Sequence, residues 1–360
     1  MSFSFGFTQD NFSDDELIDA ENQNSIAQVD VSQGVNPLDS SNKDAKPPIH
    51  EDFLKLQQSL INIRVTFERY TTPSGQVVFR RELFDVKHQL MSEEGGENQD
   101  EEFGVLMGTD TTDLQKNVYE GGLKSWECSI DAVDKLSTLS DSEVFGQGDV
   151  VELGCGTSLP STFLFQRALK TGTTNLKFKL SDYNPVVLRL VTLPNLIVSW
   201  ASTLPQEQLL ELQRSEDPEI PILDDELQLT PALIQAFKET LVNKNISIEL
   251  FSGAWNREFF NLITKDTNRI GLIITSETIY SPETLPIIGE LLIELIMASK
   301  NSTGNIPTAL VAAKDIYFGV GGSLIDFENY LQNKIQQGIS IEFQTEKVKA
   351  GLQRSIVIIR

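Results

Sequence analysis

The residues best placed to do chemistry begin at Val150-Val151-Glu152-Leu153-Gly154-Cys155-Gly156-Thr157, where a β-branched run enters a Gly-x-Gly turn. Pro160 follows where a helix would begin. Glycines at such a turn admit positive φ and let a ligand approach the backbone. A helix N-terminus beside them offers unpaired N–H groups to an anionic end. The next apolar run, Phe178-Lys179-Leu180-Ser181-Asp182-Tyr183-Asn184, puts a carboxylate 28 residues after Gly154. A carboxylate at that strand end can accept from both hydroxyls of a ribose. Glu152 can hold backbone groups of the loop or a ligand's ammonium, and Tyr183 can pack on a base. Alone, a Gly-x-Gly turn often only packs the chain, and Asp182 alone reads as a helix cap. Leu159 stands where a dinucleotide loop requires glycine or alanine, which disfavours nicotinamide and flavin. Together the two stretches predict a cofactor that joins a nucleoside to an amino acid.

A second set lies further on. Ser276-Glu277-Thr278-Ile279-Tyr280 and Lys314-Asp315-Ile316-Tyr317-Phe318-Gly319-Val320-Gly321-Gly322 each follow an apolar run. Glu277 or Asp315 can orient an acceptor by taking its N–H, with Tyr280, Tyr317 and Phe318 walling it and Gly319 letting the loop pass close. The competing reading is that these groups only cap strand ends. Trp126 and Trp255 are either cofactor contacts or buried structural side chains. His50 and His88 fall outside the expected core, so neither is a candidate catalyst.

These groups need a scaffold. Strands are expected at Val150–Leu153, Leu176–Leu180, Ile246–Phe251, Gly271–Thr275, Ala309–Ala312 and Ile356–Ile359. Helices fall between most of them and at Phe53–Ile63, at Trp126–Leu139, and from Leu114, capped by Thr111-Thr112-Asp113. Such alternation predicts an α/β fold with a mostly parallel sheet and helices on both faces. Residues 1–52 carry 11 carboxylates against Lys43 and Lys46 and read as an acidic disordered tail. Removing it is expected to leave the cofactor site intact. Residues 53–113 form an N-terminal extension with a short strand at Val77–Phe79 and an acidic loop, and 114–360 the main domain, interrupted by an acidic insertion at 204–230.

The formal charge is −23 over 360 residues. It repels phosphate backbones, so direct nucleic-acid binding is not expected, and it favours a basic protein partner. Cys128 and Cys155, with no CxxC pair, argue against a disulfide framework or a zinc site, and no metal is expected. Neither a secretory start nor a run of about 18 apolar residues is present, so a cytoplasmic and nuclear protein, away from membranes and monomeric, is the expectation.

The loop Val150–Thr157 and Asp182 resemble the first motif and the ribose-binding acid of the class I, seven-stranded S-adenosylmethionine-dependent methyltransferases. Tyr119-Glu120-Gly121-Gly122-Leu123-Lys124-Ser125-Trp126-Glu127-Cys128 resembles the segment before the core in the group that modifies lysine or histidine in proteins. With Arg80–Met91, Ser276–Tyr280 and Ala312–Ser323, the chain from about residue 53 to 360 closely resembles the eukaryotic protein-histidine N-methyltransferases. That resemblance implies methyl transfer to an imidazole nitrogen, with large-subunit ribosomal protein three as substrate. Carried over by motif, the cofactor contacts would be Trp126, Glu152, Gly154, Cys155, Gly156, Asp182, Tyr183, Asn184, Ala254 and Trp255. A protein-lysine methyltransferase of the same fold, or an assembly factor for a basic protein that keeps the cofactor site, are the other readings.

Overall fold

A strand buried on both faces needs apolar side chains at every position, not alternate ones. The runs Val150-Val151 and Ile270–Thr275 satisfy this, with Val150, Leu272 and Ile274 in one core and Val151 and Ile273 in the other. The computed structural model describes residues 34–40, 45–92, 121–267, 269–348 and 353–360. Its strands are β1 (Ile49–His50), β2 (Arg64–Thr71), β3 (Val77–Arg81), β4 (Asp149–Leu153), β5 (Leu176–Asp182), β6 (Glu226–Gln228), β7 (Ile246–Ser252), β8 (Ile270–Ser276), β9 (Thr308–Lys314), β10 (Phe343–Lys347) and β11 (Arg354–Ile359).

The main sheet runs β1-β7-β5-β4-β8-β9-β11-β10. Strands β7, β5, β4, β8 and β9 are parallel, while β11, β10 and β1 join antiparallel. The α/β expectation holds, with seven strands extended by the short edge strand β1. From β4 the chain goes outward on one side to β5 and β7, then returns to lay β8 and β9 on the other. The crevice of an open sheet opens at that reversal, beyond the carboxyl ends of the strands.

One face carries Phe163, Leu196, Trp200 and Phe237, the other Phe259, Ile288, Leu292 and Phe327. Residues 54, 58 and 59 of the helix Phe53–Ser59 face solvent, and the helix expected through Ile63 stops early because the chain turns at Asn62 with φ +67°. Glu127–Ser137 is helical with Trp126 as its N-cap.

Four strands had no clear signal: β1 has two residues, β6 three, and β2 and β10 are largely polar. The 204–230 stretch is more ordered than an insertion suggests. It holds the helix Gln206–Gln213 and β6, which pairs with β2 so that Val65 faces Leu227. The small sheet β3-β2-β6 therefore ties this stretch to the N-terminal extension.

The sharpest departure lies in the expected tail. Asn36 caps a turn at Pro37–Asp39, Leu38 is 1% exposed, and Ile49–His50 pair with β7. Buried Leu38, the contacts of Asn36 and Asp39 with Glu290, Glu294 and Arg257, and main-chain pairing hold this segment, and none of these shows against its polar composition. Residues 1–33, the acidic stretch 93–113, the helix expected from Leu114, and Tyr119 and Glu120 lie outside the described residues. Among the described residues no helix is long and apolar enough to cross a membrane, and no cluster of His, Cys, Asp and Glu could hold a metal.

Candidate active site

A cavity of about 1220 Å³ opens at the carboxyl ends of β4, β5, β7, β8 and β9. It exceeds the roughly 300–1,000 Å³ usual for one small ligand, leaving room for a cofactor and an incoming side chain.

At one end the β4 turn passes through three left-handed residues, Gly154 (φ +64°), Gly156 (φ +49°) and Ser158 (φ +53°). The glycines are required by close neighbours. A Cβ on Gly154 would lie 2.7 Å from Thr278 Cγ2, and one on Gly156 would lie 3.0 Å from the carbonyl oxygen of Gly122. Asp182 accepts the Gly156 N–H at 3.0 Å through one oxygen and the Asn184 N–H at 3.0 Å through the other. It thus ties the glycine loop to the turn after β5, and it also lines the cavity.

Glu152 sits beneath the loop at 1% exposure, off the cavity wall. Its Oε2 accepts from Ser158 Oγ and from the Ser161 N–H, both at 3.1 Å. Of its two expected roles, the geometry fits loop-holding. Burial pushes its carboxyl up to about 7, against the pull of those hydrogen bonds.

Behind the loop lie positioning groups that the sequence reading missed. The π-helical turn Leu188–Thr192 presents Thr192, whose hydroxyl donates to the Gly156 carbonyl at 2.7 Å. Asn195 donates to the Thr157 carbonyl at 2.8 Å while accepting from the Arg81 N–H at 2.7 Å. A π-turn is a frequent mark of a functional site, but the sequence carries no local sign of it beyond Pro194.

Trp126, Gly154, Cys155, Gly156, Asp182, Tyr183, Ala254 and Trp255 all line the cavity; Asn184 does not. Trp126 donates its indole N–H to the Gly121 carbonyl at 3.0 Å, and Lys314 Nζ lies 5.2 Å from its ring centroid. Trp255 is neither wholly buried nor structural in the simple sense: its Nε1 is buried with no hydrogen-bond partner.

The other end gathers Glu277, Tyr280, Lys314, Asp315, Tyr317 and Phe318. Glu277 ends β8 at φ +60°, an uncommon backbone for a non-glycine residue. Its side chain is 8% exposed, and Oε1 is buried with no hydrogen-bond partner. The nearest cation is Lys314 Nζ at 3.7 Å, which also pairs with Glu127 at 3.2 Å. Burial opposes the Lys314 charge, but Glu277 and Glu127 outweigh it and hold the ammonium above the ordinary lysine value. Burial first, and the Glu277 charge second, push the Cys128 thiol and the Tyr317 phenol up, so both stay protonated beside Glu277.

Asp315 differs from Glu277. Its oxygens accept from Ser355 Oγ and Lys347 Nζ, each at 2.6 Å. Burial raises its carboxyl, but those partners outweigh burial and keep it below the usual range. Tyr317 is 8% exposed and walls the cavity, and Phe318 lines it while 84% exposed. Gly319 lies off the cavity, at φ +83° with open space around it.

No family model matches the chain. It is 45% identical over its full length to histidine protein methyltransferase 1 of Saccharomyces cerevisiae, covering 98% of that protein. The protein of the same name in Schizosaccharomyces pombe is 37% identical over 79% of this chain and 77% of its own length. A histidine protein methyltransferase 1 homolog of Rattus norvegicus is 32% identical over 68% of this chain and 58% of its own.

Proposed function

The chain belongs to the histidine protein methyltransferase family, and on that premise we propose that it transfers a methyl group from S-adenosylmethionine to an imidazole nitrogen of a basic protein. Large-subunit ribosomal protein three, the substrate implied by the sequence resemblance, is the proposed target. The net charge of −23 supports a basic partner.

The residues at hand suit that cofactor. Asp182 at the tip of β5 suits a ribose, and the left-handed turn Gly154–Gly156 suits close passage of a chain beside it. The orphaned indole N–H of Trp255 is a donor in need of an acceptor, as buried polar groups are. When bound, S-adenosylmethionine supplies a methyl carbon on a sulfonium whose departure as a neutral thioether needs no acid. The protein's task is then to position the nucleophile and exclude water.

The observation that carries the reading is the Glu277 carboxylate, held on a left-handed backbone with one oxygen that has no hydrogen bond and lies 3.7 Å from Lys314 Nζ. A neutral imidazole attacks through the nitrogen that has the lone pair, while the other nitrogen keeps its hydrogen. The Glu277 carboxylate accepts that N–H, fixes the tautomer and stabilises the positive charge that develops on the ring. The ring proton leaves by way of the carboxylate, so one methyl is gained and one proton lost. Lys314, Cys128 and Tyr317 hold the carboxylate in place, and Tyr317 walls the ring. Asp315, ion-paired to Lys347 of β10 and hydrogen-bonded to Ser355 of β11, is read as scaffold of the loop.

The test is single-turnover methylation of the basic substrate from pH 5.5 to 9.5, with the target residue identified by mass spectrometry. The rate should rise through the histidine's own pKa, about 6.5 when unperturbed, and then flatten. A product on lysine, or methylation that survives replacement of the histidine by alanine, overturns the reading.

A further inference from the structure

The N-terminal segment packs on the cavity wall beside Asp182. Lys46 accepts the Ala254 N–H at 3.0 Å through its carbonyl and donates its own N–H to the Tyr183 hydroxyl at 3.3 Å. Those partners follow β7 and β5 respectively, on the cavity wall next to Asp182. Pro47 and Ala45 line the same wall. Just beyond, Ile49 and His50 pair with Ser252 and Phe251, the His50 ring stacks on Phe251 at 4.6 Å, and the Glu51 N–H reaches the Leu250 carbonyl at 2.8 Å.

Gly253 shows that this seat is built in. It sits at φ +96°, and a Cβ there would run into the Pro47 carbonyl. That glycine is required by the passing chain rather than by a ligand. The segment is held at its other end too. Asn36 donates to Glu290 at 3.1 Å and to Glu294 at 2.8 Å, and Arg257 bridges Asp39 and Glu294.

We infer that the stretches Asn36–Ser40 and Ala45–His50 are part of the cofactor site, with Lys46 and Pro47 closing its base end. The inference rests on the cofactor reading above and adds a wall to it. If Asp182 takes the ribose, the base extends toward Tyr183 and Ala254. The polar groups there are already satisfied by Lys46's main chain, so the base is held by packing against Pro47 and the neighbouring rings. Loss of this wall exposes one face of the base to water and weakens binding.

The experiment measures S-adenosylhomocysteine affinity by calorimetry on full-length variants, with folding checked by circular dichroism. Lys46→Pro removes the N–H that reaches Tyr183, and the dissociation constant should rise about tenfold, the loss of one hydrogen bond plus its packing. Lys46→Ala keeps the main chain and loses the ammonium's contacts with Asn184 and the Tyr183 ring, so the dissociation constant should rise by less than in Lys46→Pro. The double variant Asn36→Ala/Asp39→Ala frees the far anchor and should weaken binding by about three- to tenfold. Wild-type affinity in folded Lys46→Pro or in the double variant overturns the inference, as does an equal loss in Lys46→Ala. A wild-type chain that binds no S-adenosylhomocysteine overturns the cofactor reading instead, and this one with it.

Discussion

The two ends of the cavity are built in opposite ways. At the cofactor end the loop itself is tied within the protein: Asp182 takes two backbone N–H groups, Glu152 takes Ser158 and Ser161, and Thr192 and Asn195 take the loop's carbonyls, while the Trp255 indole N–H stays unpaired beside them. At the acceptor end Glu277 holds a strained backbone, leaves an oxygen without a hydrogen bond and lies beside an ammonium shared with Glu127. A finished network gives a rigid cradle for a ligand that is always the same. On the function proposed, an unfinished one keeps an acceptor for a group that arrives from outside. Strain persists where the surrounding structure over-determines it, and such residues cluster at functional sites.

The contrast fails most visibly if the cradle tolerates change. Gly154→Val would place its Cβ near the 2.7 Å position already beside Thr278 Cγ2, at φ +64°. Loss of detectable cofactor binding is expected, and calorimetry on a folded variant that still binds S-adenosylhomocysteine would end the cradle argument.

Next in size is Glu277→Gln, which keeps the shape and removes the charge. The turnover rate should fall about a hundredfold, the scale of a lost acid–base or charge-stabilising group, while cofactor affinity holds. Asp315→Asn should change turnover by less than about threefold, since its oxygens already serve Ser355 and Lys347. Equal effects of the two substitutions would erase the distinction between them.

Asp182→Ala should weaken cofactor binding by about 1.5–3 kcal/mol, the range for a hydrogen bond to a charged group. Part of that reflects the Gly156 N–H left without its partner, so the loss reports loop order as well as ribose contact. Titration calorimetry checks it, and an unchanged affinity would reduce Asp182 to a cap.

The same contrast explains what the sequence could reveal. The cofactor end lies largely within one strand–turn–helix and one strand end, residues 150–160 and 178–184, so local spacing carried it. The acceptor end draws on three distant segments: of Cys128, Glu277 and Lys314 the sequence singled out Glu277 alone, and Trp126 was expected at the cofactor. The Glu152 assignment left two roles open because spacing gives adjacency and not side-chain direction. Thr192 and Asn195 gave no signal, as their partners are backbone carbonyls on another element. The N-terminal segment gave no signal because it is held by few side chains, Leu38 in the core, Asn36 and Asp39 on Glu290, Glu294 and Arg257, and His50 on Phe251, and by main-chain pairing that composition does not show. Composition averages over a window, but anchoring needs only a few well-placed side chains.

The smallest effect concerns Glu152, the one carboxylate of the cradle whose burial works against its charge. Its carboxyl is raised from 4.5 to about 7, burial being the largest cause. Between those values the folded chain binds more protons than the unfolded one, so stability falls as pH rises. The contribution is fully present below about 4.5 and gone above about 7. Glu152→Gln removes the titration and keeps a carbonyl oxygen for Ser158 and Ser161. Urea unfolding at pH 5 and pH 8 should therefore show wild type losing about 1–3 kcal/mol relative to the variant over that interval, because every other titrating group is common to both. The expected cofactor affinity at pH 8 is the same in both within about threefold, since Glu152 lies off the cavity wall. Parallel pH dependence in the two proteins would mean that the buried carboxylate stays ionised at no cost, and the cradle would then be as charge-tolerant as the acceptor end.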